Sequence, residues 1–328
     1  MKLRRFFAIF VPLLLMVMAA GLCFGSAPLS LSQLISALAG AGEGSVSTIL
    51  WQIRLPRVTA GVLAGMGLAA SGVLLQSVTA NALASPNIIG INSGAGLAVI
   101  LMLTAFPMAG NLLPFGAFLG AFGAAMVILL AADRIGGSRT GILLIGIAIT
   151  TILNAAISFL SLLDEGILAQ YNHFTVGSLK AIRMDDLLIP AVIIFTAFTA
   201  AMVMSNRLGV LCMGDAAAAA LGIRVKRLRV LALGCAAACA AAVVSFAGLL
   251  GFVGLVVPHI ARRLVGQQPS KMLPVSAVLG AIIVVLADLL GRTLFAPSEL
   301  PVGILMSLIG APYFLILLCR RKHHADFA

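Results

Sequence analysis

Ten long apolar runs, spaced by short stretches that hold much of the charge, constrain this chain more than any other feature. They cover roughly residues 6–25, 56–76, 88–106, 114–132, 141–162, 187–205, 230–249, 252–265, 274–292 and 302–319. A bilayer core about 30 Å thick is spanned by about 20 helical residues. The spacing therefore predicts an all-α polytopic membrane protein with about ten transmembrane helices, the eighth too short to cross fully. The 328 residues form one transmembrane domain, 1–328, with no room for a separate soluble one. Composition agrees: 62% of residues are hydrophobic and 9% charged, where soluble domains run near a quarter charged.

The net charge of +11 would suggest nucleic acid on a soluble protein. Here the distribution of the basic residues gives it another meaning. With an even number of spans, both termini lie on one side. If that side is cytoplasmic, sixteen of the 21 Lys and Arg fall on it, in the N-terminal segment, around Arg134 and Arg139, in 206–229, around Arg262 to Lys271, and after Cys319. Cytoplasmic loops carry such an excess, so both ends are expected in the cytoplasm. The N-terminal basic residues before an apolar stretch also fit a signal peptide, but no small-x-small cleavage pattern follows. An uncleaved first helix is expected.

Five basic residues run against this bias: Arg54, Arg57, Lys180, Arg183 and Arg292. Arg54 and Arg57 flank Pro56 at the outer end of the second run, and Arg292 ends the ninth. Exposed guanidinium groups there would suit carboxylates on a docking partner. Snorkelling anchors beside Trp51 explain them as well. Asp288, the main intramembrane acid, is four residues from Arg292, the spacing of a helix ion pair. Ion-coupled transport usually buries several ionisable groups, so a secondary transporter is disfavoured.

The stretch 206–229 is the longest cytoplasmic connection. Asp215 can cap the run Ala216 to Ala220, and Gly222 can end it in a left-handed turn. A short helix, a turn and a basic segment with Arg224 and Arg227 would make a knuckle for a groove on a cytoplasmic partner; a solvated connector is the plainer alternative. Gly61-x-x-x-Gly65 and Gly116-x-x-x-Gly120 predict close helix packing within the bundle rather than a dedicated dimer seam. Enzyme signals are weak. There is no GxxxxGK[ST] loop for ATP and no HExxH arrangement among the four histidines; His259 reads as structural and His323 and His324 as solvated. The five cysteines form no CxxC pair. No metal site or cofactor is implied, and an intramembrane enzyme would need a nucleophile or metal cluster that is not found.

Several segments resemble a known family. These are Leu55-Pro-Arg57, Ala70-Ser-Gly72 through Gln76, Asn81-Ala-Leu-Ala-Ser-Pro86 and Gly90-Ile-Asn-Ser-Gly94 in the first half. In the second are Val176-Gly-Ser-Leu179, Leu221-Gly222, Gly251-Phe-Val-Gly-Leu-Val-Val-Pro-His-Ile-Ala-Arg262, Ala287-Asp-Leu-Leu-Gly-Arg292, Glu299-Leu-Pro-Val-Gly303 and Gly310-Ala-Pro312. Together, over about 50–319, they are similar to the iron-siderophore and cobalamin ABC importer permeases of the FecCD type. The resemblance implies a type II importer architecture and two permease copies or close paralogues around a central path. It also implies two cytoplasmic ATP-binding subunits, an extracytoplasmic substrate-binding protein and a bacterial-type cell membrane.

Its residues transfer as follows. Arg54, Arg57 and Arg292 match arginines that meet the binding protein. Gly214, Asp215, Leu221, Gly222, Arg224 and Arg227 fall in the loop that contacts the ATPase. Asn81, Leu83 and Thr140 match the cytoplasmic gate. The family's usual Asn-Pro-Leu-Ala-Asp-Pro is Asn81-Ala-Leu-Ala-Ser-Pro86 here, which bears on the gate turn. A ferric siderophore or related chelate is the expected substrate, with haem and cobalamin as alternatives within the family.

Overall fold

The computed structural model describes residues 2–25, 31–38, 44–106, 110–134, 139–294, 296 and 298–325. Fourteen α-helices make up most of the described regular structure, with no strand among the described residues. They are α1 (Leu3–Cys23), α2 (Leu31–Leu38), α3 (Gly44–Thr48), α4 (Leu55–Thr79), α5 (Ile91–Ala105), α6 (Leu113–Arg134) and α7 (Arg139–Ser161), then α8 (Glu165–Val176), α9 (Met184–Cys212), α10 (Asp215–Ala220), α11 (Val225–Ala247), α12 (Val253–Val265), α13 (Pro269–Thr293) and α14 (Val302–Ala325). A π-helical turn, Ile49–Arg54, joins α3 to α4 without a break.

All ten predicted segments are helical. Seven stretches are long and apolar enough to cross a bilayer: Leu3–Cys23, Gly44–Thr79, Leu113–Ala132, Gly141–Ser161, Met184–Cys212, Val225–Ala247 and Pro269–Thr293. α5 and α12 are short for a physical reason. The 3₁₀ turn Pro86–Ile89 precedes α5, and a break at 248–252 with Gly248 and Phe252 at positive φ precedes α12. Their lengths are about 22 and 20 Å at 1.5 Å per residue, below the bilayer core. Irregular backbone at this depth persists only inside protein. Here Leu249 N–H donates to Phe174 C=O at 3.3 Å and Ser178 N–H to Ala247 C=O at 2.9 Å.

α4 is the central helix, buried along most of its length and packed by α13, α11, α12 and α9. Small residues permit this. A methyl at Gly65 would overlap the Gly280 carbonyl of α13, and one at Gly120 would overlap the Gly94 carbonyl of α5. Close backbone approach gives dense van der Waals contact in lipid. Both GxxxG segments thus serve internal packing. Large side chains such as Ile152, Phe159, Val192 and Val203 point outward at 65–82% exposure, as expected where the solvent is lipid.

Topology gives the bundle two ends. α4 and α13 meet at one, through Arg57 and Asp288. At the other, Cys212 at the end of α9 donates its thiol to Ser77 C=O near the end of α4, 3.6 Å away. α9 has 29 residues, about 43 Å at helical rise, so it overshoots a bilayer core by two turns or more. The predicted connection 206–229 is therefore mostly helix, and only 213–214 and 221–224 are loop.

Candidate functional site

The first end is an ion cluster. Arg57 Nε donates to both oxygens of Asp288 at 3.0 Å, and its Nη2 lies 2.9 Å from Oδ1. Its Nη1 reaches Glu299 Oε2, also at 2.9 Å. Arg292 Nε sits 3.4 Å from Asp288 Oδ2, the predicted i,i+4 pair. The remaining donors cap α1: Arg292 Nη2 donates to Gly21 C=O at 2.7 Å, and Arg54 Nη1 to Leu22 and Cys23 C=O at 2.6 and 2.7 Å. Helix C-termini leave carbonyls unsatisfied and carry partial negative charge, so guanidinium caps are well matched.

The sequence predicts exposed guanidinium groups here, and the structure buries them. Arg54, Arg57 and Arg292 are 3%, 7% and 3% exposed. The reason is the partner set. Asp288 and Glu299 approach from positions 231 and 242 residues away in sequence, and the end of α1 closes over the rest. Pairing makes burial tolerable, while one partner lost would leave a buried charge.

The second end is a knuckle. Gly214, at φ +128°, occupies the cap position of α10. Asp215 is the first helical residue rather than the predicted cap, and its carboxylate accepts from Arg229 Nη2 at 2.8 Å. Gly222, at φ +75°, closes α10. Ile223 N–H reaches Ala218 C=O at 3.0 Å and Gly222 N–H reaches Ala219 C=O at 2.9 Å, the paired bonds of a Schellman ending. Met213 and Leu221 project at 78% and 70% exposure, with Arg224, Lys226 and Arg227 exposed beside them. Two apolar tips ringed by bases form a surface suited to a groove on a protein.

At this same end α4 stops with Ala80 at φ +48°. Asn81 makes the following turn: its side-chain oxygen accepts from Leu83 N–H at 2.9 Å, and its carbonyl from Ala84 N–H at 3.1 Å. The turn forms although Ala82 and Ser85 replace the family's Pro and Asp. Leu83 is partly exposed. Thr140 falls in the first turn of α7. Arg262 Nη2 donates to Gln76 Oε1 at 3.0 Å, tying α12 to the end of α4.

A family model for the FecCD transport family matches residues 13–320. The chain belongs to that family. It is thus a transport protein, embedded in the membrane with many passes, and not an enzyme class. Among FecCD relatives, the Fe(3+)-citrate import system permease YfmE of Bacillus subtilis is 38% identical over 277 residues, 84% of this chain and 83% of its own. The hemin transport permease HmuU of Yersinia pestis is 34% identical over 316 residues, 94% of this chain and 95% of its own. A solved inward-facing ABC transporter chain, described as of metal-chelate type, superposes with a TM-score of 0.88 at 29% identity, covering 97% of this FecCD chain and 99% of that one.

Sequence reasoning missed two features of this FecCD chain. Glu299 was legible only as part of a signature, not as the partner of Arg57. α8 is not among the helices predicted from the apolar runs, although Asp164 caps it by accepting from Gly166 N–H at 2.7 Å; an acidic residue before a polar helical stretch is the available signal.

Proposed function

We propose that this FecCD chain is the transmembrane permease subunit of an ABC importer that takes up a ferric siderophore or a related metal chelate. The observation that carries the reading is the knuckle of Met213, α10 and Leu221, whose two apolar tips stand 78% and 70% exposed among the described residues. Two partner ATPases would grip it, one per permease copy, and their closure on ATP would drive alternating access. Gly214 and Gly222 shape the knuckle, Asp215 holds its base to Arg229, and Arg224 and Arg227 offer charge to the ATPase surface. Asn81, Leu83 and Thr140 would form the cytoplasmic gate beside it, on the side where both termini lie.

At the opposite end a loaded binding protein would dock. Arg54, Arg57 and Arg292 outnumber Asp288 and Glu299, so the cluster keeps a positive field despite its burial. A docking carboxylate would compete with Glu299, the more accessible of the two acids at 18% side-chain exposure, for Arg57. The family relation to permeases of Fe(3+)-citrate and hemin systems supports a large iron chelate; cobalamin is the family alternative. Vesicles holding the permease with its ATPase and binding protein should accumulate chelate only with ATP. Flux from the permease alone, driven by an ion gradient, would reject the reading.

A further inference from the structure

On the arginine end two hollows of about 690 and 560 Å³ adjoin, sharing His173, Ser178 and Lys180 in their walls. Gln170 and Phe246 line the first, and Arg57, Asn172 and Glu299 line the second. The polar groups converge from α8 and from the turn behind it. Lys180 is exposed and makes no ion pair among the described residues. Glu299, which lines the second hollow with it, is already held by Arg57 at 2.9 Å. The wall therefore carries a cation that no ion pair among the described residues neutralises, next to a cluster of three arginines and two carboxylates. A concave wall with low-dielectric surroundings concentrates such a field.

The backbone fixes where this ammonium is presented. Ser178 N–H donates to Ala247 C=O at 2.9 Å, and Lys180 N–H to Ser178 Oγ at 3.1 Å. Ala181, which lines the first hollow, sits at φ +60°. Left-handed backbone is uncommon for alanine, and such positions recur at ligand-handling sites. The turn is thus held in a conformation that local preference opposes, at the residue following the lysine.

Resting on the proposed function, we infer that Lys180, with His173, Gln170 and Asn172 around it, is a transient receiving site for an anionic metal chelate. A chelate presenting carboxylate or other anionic oxygens would meet Lys180 after leaving the binding protein and before entering the bundle. Exposed ion pairs are weak, which suits a site that must let go. The substrate class narrows accordingly, to anionic rather than cationic chelates.

The test uses vesicles holding the complete importer and radioactive iron as ferric citrate, hemin and the cationic ferrioxamine B, each with the binding protein present. Lys180→Arg should keep uptake of the transported anion within about twofold, Lys180→Gln should lower it several-fold, and Lys180→Glu at least tenfold. Stimulation of ATP hydrolysis by the loaded binding protein should stay within twofold in all three. Unchanged uptake with Lys180→Glu would overturn the site, as would a loss of uptake matched by loss of ATPase stimulation, which places Lys180 in docking. Wild-type vesicles that move only ferrioxamine B would overturn the anionic class while leaving the importer standing. Vesicles that move none of the three would count against both, and a stimulated ATPase in them would confine the failure to substrate class.

Discussion

The two ends of the bundle hold their charge in opposite ways. At one, three arginines are buried and bonded to Asp288, Glu299 and the carbonyls closing α1. At the other, Arg224, Lys226 and Arg227 stand in the open around Met213 and Leu221. The first arrangement stabilises: it joins α1, α4, α13 and the segment leading into α14 into one piece. The second keeps its side chains at the surface, where the proposed ATPase partner would meet them. Basic residues of the same type therefore divide into a staple and a contact surface, and burial, not residue identity, separates them.

The contrast breaks most visibly at Asp288. Asp288→Ala leaves Arg57 and Arg292 buried without their shared carboxylate and should cost about 3–5 kcal/mol, seen as a large drop in thermal stability of the purified chain in detergent. Replacing the set together, Arg57→Met, Asp288→Leu, Arg292→Met and Glu299→Gln, leaves no buried charge of the cluster unpaired and should recover much of that loss. Gly65→Ala probes the same assembly through its contact with Gly280 and should cost about 1–3 kcal/mol by overpacking in the same melt. On the knuckle the effect moves from stability to coupling. Met213→Asp with Leu221→Asp should leave the melt unchanged and lower ATPase-driven uptake at least tenfold, or about 1.4 kcal/mol of coupling. Gly222→Ala forces a side chain into the left-handed turn and should cost about 1 kcal/mol, with a smaller loss of uptake. Smallest is Glu299→Gln, which frees part of Arg57 and should tighten binding-protein docking two- to threefold in a titration; weaker docking would return Glu299 to a purely structural part.

Much of this was legible in the sequence because lipid imposes simple rules. Length and apolarity locate ten helices, and the brevity of the run 252–265 announces a short one. Ala216 to Ala220 with Gly222 read correctly as a short helix and turn. Local patterns failed where the deciding partner was distant. No window around Arg57 contains Asp288, so the arginine looked exposed. α8 escaped because Gln170, Asn172 and His173 interrupt its apolar pattern, yet those are the side chains that line the outer hollows. Asp215 was placed one residue off its cap because glycine, with no side chain to bond, took the position instead.

The Gly65–Gly280 contact has a mechanical meaning. With backbone seated against backbone, α4 and α13 cannot slide past each other by part of a turn without collision, and the Arg57–Asp288 bonds pin them a second time near their ends. A rod fixed to another at two points can neither shear nor swivel. The pair is a beam: under the proposed coupling, displacement at the knuckle would move it as one body and would be taken up at joints elsewhere, such as the positive-φ break between α11 and α12.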